Sequence, residues 1–159
     1  MAGTDTVRRR LTPGEIELAR TVFGDAIDYA PVEIFRRKWF PFQPKKVAMA
    51  PNGNIYFHPE GGLWSPDFAA EPLGRQGHII HEMTHVWQAQ TRGRWYLILM
   101  RHPFCRYGYQ LQPGWPLERY GLEQQAEIVR HAFLRRQGYP LAAAPRLADL
   151  EVTLPFSRA

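Results

Sequence analysis

Apolar positions along this chain change period several times, and each change marks an element. Ile16, Ala19, Val22 and Phe23 recur at helical spacing behind Thr12-Pro13-Gly14-Glu15. There Thr serves as N-cap, Pro occupies the first helical turn and Glu stands three residues after the cap; Gly24 ends the run. Val32-Glu33-Ile34-Phe35 reads as a strand. Val47 to Ala50 and Ile55 to His58 flank the turn Pro51-Asn52-Gly53-Asn54, which predicts a hairpin on a small sheet. Pro59-Glu60-Gly61-Gly62 closes that region as a loop. From beyond Pro72 to about Gln90 the spacing is helical again, with Gly93 just past its end, although Gly74 and Gly77 blur its start. Trp95 to Pro116 looks irregular, and a last strong helix runs from about Leu117 to Gln137 before Gly138 and Pro140. The pattern predicts an α+β fold: a loose tail over 1–10, one domain over 11–140 and a C-terminal extension over 141–159.

Composition narrows this picture. A chain of 159 residues with 45% hydrophobic and 13% aromatic content can bury one core and is not a disordered chain. No apolar run approaches the roughly 20 residues of a membrane span, and no secretory signal is readable at the start, so the sequence predicts a cytoplasmic protein, with export by a specialised system left open. A single cysteine, Cys105, excludes an internal disulfide and reads as a buried small apolar residue. The net charge of +5 is compatible with acidic partners. Its short basic clusters (Arg8 to Arg10, Arg36 to Lys38, Arg135-Arg136) accompany no nucleic-acid recognition fold and read as solvated faces. Trp95 and Trp115 could line a substrate groove but read better as core.

The chemistry concentrates in His81-Glu82-Met83-Thr84-His85. Residues four apart on a helix point nearly the same way, offset by about 40° and one turn of roughly 6 Å. His81 and His85 can therefore present two imidazoles to one ion, with Glu82 beside them. Two His ligands, an open position for water and a Glu as general base make the arrangement of a zinc hydrolase. Ile79, Ile80, Met83, Val86 and Trp87 form an apolar arc opposite, able to anchor the helix. A third ligand is needed. Glu123 and Glu127 lie one turn apart on the later helix, so one can ligate while the other accepts from the free nitrogen of a ligand His. Glu123 is taken as ligand and Glu127 as outer partner, with the reverse register open; His78, nearly a turn before His81, is a competing ligand placed in the surrounding shell.

His81-Glu82-Met83-Thr84-His85 followed by Glu123-Gln124-Gln125-Ala126-Glu127 resembles a gluzincin-type zinc metallopeptidase. The wider pattern, from Leu11-Thr12-Pro13-Gly14-Glu15 through Pro51 to Phe57 to the Glu123 helix, resembles small Vgr-related bacterial proteins and the metallopeptidase-like domain associated with contractile injection systems. The resemblance covers roughly residues 11 to 138. It implies a minimal zincin-like domain holding Zn2+ through His81, His85 and Glu123. It also implies an edge strand beside the metal, Asn54 to Phe57, on which an extended peptide could add.

The expected function is zinc-dependent hydrolysis of a peptide or protein substrate, with Glu82 as general base and secretion-system components as possible partners. Tyr109, Tyr120, His131 and His102 are candidate oxyanion stabilisers, each as well explained by packing. A non-catalytic zinc-bearing adaptor of a secretion or injection apparatus is the main alternative, and a basic nucleic-acid accessory domain a third reading.

Overall fold

The computed structural model of the chain describes residues 7–100 and 106–156. Its first element is β1 (Val7–Arg10), within the segment expected to be loose. β1 pairs antiparallel with β2 (Glu33–Arg36), setting Val7 opposite Arg36 and Arg10 opposite Glu33. The basic triplet explains the order: Arg8 makes a bidentate pair with Glu33 at 2.7 Å, Arg10 donates to the Ala30 carbonyl, and Arg9 turns inward to Glu15 at 2.8 and 2.9 Å. These are strand ties rather than a solvated tail.

Helix α1 (Pro13–Phe23) begins as its sequence predicts. Thr12 Oγ1 accepts from the Glu15 amide, Glu15 accepts from the Thr12 amide, and Gly24 ends the helix with φ 54°. Glu15 does more than cap. It is buried, and besides Arg9 it accepts from the Phe68 amide at 2.8 Å.

The sheet is completed by β3 (Ile55–Tyr56), which runs parallel to β2 with Ile34 opposite Ile55. The expected hairpin is reduced to one antiparallel bridge, between Met49 and Tyr56. Both of its hydrogen bonds form, at 3.0 and 2.7 Å. β3 is thus the edge strand of the sheet, as expected, and the stretch around Met49 crosses its outer side at this one bridge.

Helix α2 (Leu73–Arg92) packs on α4 (Leu122–Arg136). Gly77 lets α4 approach closely: a Cβ there would meet the Leu134 side chain at 3.0 Å. Ile80, Met83 and Val86 of α2 meet Ile128, Val129 and Phe133 of α4 in a core that includes Phe23, Ile34 and Phe57.

The region expected to be irregular holds α3 (Arg94–Met100), a run without Gly or Pro whose Leu97 is buried. Trp95 is mostly exposed and Trp115 more than one-third exposed, so neither is a core residue as expected. The extension is packed down by α5 (Leu147–Glu151), whose Leu150 is fully buried. Arg136 pairs with Glu151, and Arg135 donates to the carbonyls of Leu141, Ala144 and Pro145. That cluster too is structural. Cys105 and His102 lie outside the described residues, among which no helix is long and apolar enough to cross a membrane.

Candidate metal centre

His81 and His85 sit one turn apart on α2, and α4 brings Glu123 across to them. All three side chains are buried. One carboxylate oxygen, Glu123 Oε2, stands 3.1 Å from Nε2 of His81 and 3.1 Å from Nε2 of His85. Among the described residues these three form a group whose ligand atoms lie within 4.8 Å of one another and could hold a metal ion.

The other ring nitrogens decide what the Nε2 atoms can do. His81 Nδ1 lies 2.7 Å from Glu127 Oε1, an acceptor. His85 Nδ1 lies 2.8 Å from Gln88 Oε1. The orientation of that amide is fixed by its far side. Gln88 Nε2 donates to the Leu122 carbonyl and to Gln125 Oε1, while Gln125 Nε2 donates to the Tyr120 carbonyl. Backbone carbonyls accept only, so the chain of amides leaves Gln88 Oε1 facing His85. Both Nδ1 atoms thus carry protons, and in the neutral rings both Nε2 lone pairs face a carboxylate oxygen. Three acceptors converge, and the centre requires a cation.

In the metal-free protein a proton can fill that role. Burial disfavours a charged His81, but its hydrogen bonds to Glu123 and Glu127, with the nearby Glu82 and Glu123 charges, outweigh it and lift its pKa to about 9. The same contacts override burial at the carboxylates, holding Glu127 at about 2 and Glu123 well below the ordinary range. A zinc ion suits the donor set and the spacing. Ligands about 2.1 Å from a tetrahedral ion are roughly 3.4 Å apart, close to the separations here.

Glu82 supplies a second observation. Its Oε2 is buried without a hydrogen-bond partner, and its Oε1 is 3.7 Å from His78 Nε2. Burial lowers the pKa of His78, which stands beside Glu82 rather than among the converging atoms. Glu82 also lines a cleft of about 190 Å³ that reaches His81, His85 and Glu123, with Lys46, Val47, Ala48 and Tyr107 on its wall. A larger cavity of about 630 Å³ beside α3 shares Glu123 with that cleft and is also lined by Gln88, but reaches neither His81 nor Glu82.

The expected oxyanion candidates lie elsewhere. Tyr120 is buried, its hydroxyl accepting from the Gln112 amide at 2.8 Å. Tyr109 Oη is 2.6 Å from Nδ1 of His131, whose Nε2 is 3.5 Å from Glu127. That pair backs Glu127 from behind and does not line the cleft. Sequence reasoning missed Tyr107, whose ring lies 6.2 Å from that of His81 at 21°. It also missed Gln88, although its position three residues after His85 places it within reach of that ring.

No family model matches the chain. Over 144 residues it is 44% identical to the type VI secretion system spike protein VgrG2b of Pseudomonas aeruginosa, covering 86% of this chain. The chain spans only 14% of the length of that relative. The effector domain of Pseudomonas aeruginosa VgrG2b superposes with a TM-score of 0.72 at 37% identity, covering 97% of this chain and 89% of that domain.

Proposed function

The chain belongs to the family of the VgrG2b effector domain, and on that premise we propose that it is a zinc-dependent peptidase acting as a secretion-system effector domain. His81, His85 and Glu123 would hold the ion, which when bound supplies Lewis acidity to polarise a carbonyl and to acidify a water molecule. Glu127 and Gln88 fix the two rings through their Nδ1 protons. Glu82 takes the proton from the attacking water and passes it to the leaving amine.

The substrate chain has a track. Met49 exchanges both of its backbone hydrogen bonds with Tyr56, so by antiparallel alternation the Ala48 N–H and C=O face away from the sheet. Ala48 also lines the cleft. An extended peptide adding there would lie alongside the ligand cluster, at the segment before the strand expected from the sequence. Tyr107 lines the cleft where Tyr109, Tyr120 and His131 do not, and its hydroxyl would be the one to meet the substrate carbonyl oxygen.

The observation that carries this reading is the buried, unpartnered Glu82 Oε2 beside the three converging ligand atoms. A metal site serving only structure has no use for a buried carboxylate oxygen left unpaired beside its ligands. The test is cleavage of fluorescein-labelled casein by the zinc-loaded protein and by Glu82→Gln. The variant is expected to keep its zinc and lose activity about 10²- to 10⁴-fold. Equal cleavage by both, or none by the wild type, would leave the adaptor reading in its place.

A further inference from the structure

The segment between β2 and the Met49 bridge presents a feature that folding does not explain. Phe42, set between Pro41 and Pro44, is 85% exposed, and Trp39 and Phe40 are more than one-third exposed. Residues 36–46 carry five cations and no acid. Their acidic neighbour Glu60 pairs with Lys45 at 3.4 Å, with both side chains mostly in solvent.

The loop is braced. Gln43 is buried beneath it, donating from Nε2 to the carbonyls of Val47 and Tyr56 and accepting the Trp39 amide at 2.7 Å. The Gln43 amide closes a turn onto the Phe40 carbonyl at 3.1 Å. Trp39 leans on Tyr56 with ring centroids 5.0 Å apart. A buried glutamine thus holds the turn that projects Phe42 outward.

We infer that this loop docks on an anionic phospholipid bilayer, with Phe42 entering the boundary between headgroups and acyl chains and the surrounding cations meeting lipid phosphates. A small apolar tip flanked in sequence by basic residues matches that interface in both polarity and charge. A stable protein partner would ordinarily need about 800 Å² from each side, far more than one projecting phenylalanine offers. Docking would also orient the molecule, because Lys46, Val47 and Ala48 continue directly from the loop into the wall of the metal-site cleft. The cleft would then face chains close to a membrane surface. The inference stands on the loop alone and does not need the site to be catalytic.

The experiment is co-sedimentation with vesicles of phosphatidylcholine containing phosphatidylglycerol, and with phosphatidylcholine alone. The wild type is expected to sediment with the anionic vesicles and much less with the neutral ones. Phe42→Ser should weaken binding about tenfold or more, and Lys38→Gln combined with Lys45→Gln by a similar factor. These side chains lie at the surface, so the variants should melt like the wild type. A wild type that ignores anionic vesicles, including one that instead binds single-stranded DNA or a protein, would overturn the inference. So would equal sedimentation of Phe42→Ser.

Discussion

Gln88 Oε1 accepts a hydrogen bond from His85 Nδ1 at 2.8 Å, and the two residues are less than one turn apart on the same helix. The brace for this ring is therefore built into α2, whereas the brace for His81 comes from Glu127 on α4. Gln88→Leu keeps the bulk and removes the acceptor. Zinc affinity measured by chelator competition should fall about 10- to 100-fold. Unchanged affinity would reduce Gln88 to packing.

The raised pKa of His81 predicts that zinc must displace a proton. Below about pH 9 the metal-free ring is charged, so affinity should climb about tenfold per pH unit until that point and then level off. Chelator competition between pH 6.5 and 9.5 checks this; a flat profile would mean His81 is already neutral.

Stability of the metal-free protein follows from the same groups with opposite signs. His81 titrates higher in the fold than its ordinary 6.5, so its contribution is complete below 6.5 and is lost as pH rises through about 9. Glu127 titrates lower than its ordinary 4.5, so its contribution is complete above 4.5 and is lost as pH falls through about 2. Melting temperature under chelator should plateau between those ordinary values and decline on either side, the alkaline decline vanishing in His81→Ala.

Glu15 offers a prediction remote from the metal. Its carboxylate receives Arg9, the Thr12 amide and the Phe68 amide, joining β1, α1 and the turn before α2. The Arg9 pair is largely buried, so Glu15→Ala should cost about 3 kcal/mol in denaturant unfolding, much of it from stranding Arg9. Loss of the cap alone would cost about 1 kcal/mol.

Glu15 also shows where legibility in the sequence ends. The cap is a spacing of three residues and can be read directly, as can the helical spacing of His81 and His85. The partnership with Arg9 depends on β1, and a strand of four residues with three arginines carries no apolar alternation to betray it. The site divides in the same way. Local geometry identifies the His pair and proposes Glu123 and Glu127, but which carboxylate faces which nitrogen depends on how α4 sits, and Gly77 with Leu134 sets that contact. The resemblance placed the edge strand at Asn54 to Phe57 because those residues carry the β signal. The hairpin pattern already sets Val47 to Ala50 beside Ile55 to His58, but that this pairing shrinks to a single bridge, between Met49 and Tyr56, is decided by the tertiary fold. Tyr107 lies far from the motif in sequence and reaches the cleft only through the tertiary fold.

The central claim is that His81, His85 and Glu123 converge on one metal ion. Metal analysis of the purified, zinc-equilibrated protein beside His85→Ala and Glu123→Ala tests it. The account predicts one zinc per wild-type chain and loss of stoichiometric zinc in both folded variants. Full retention of zinc in Glu123→Ala would contradict it and shift the third ligand to Glu127 or His78.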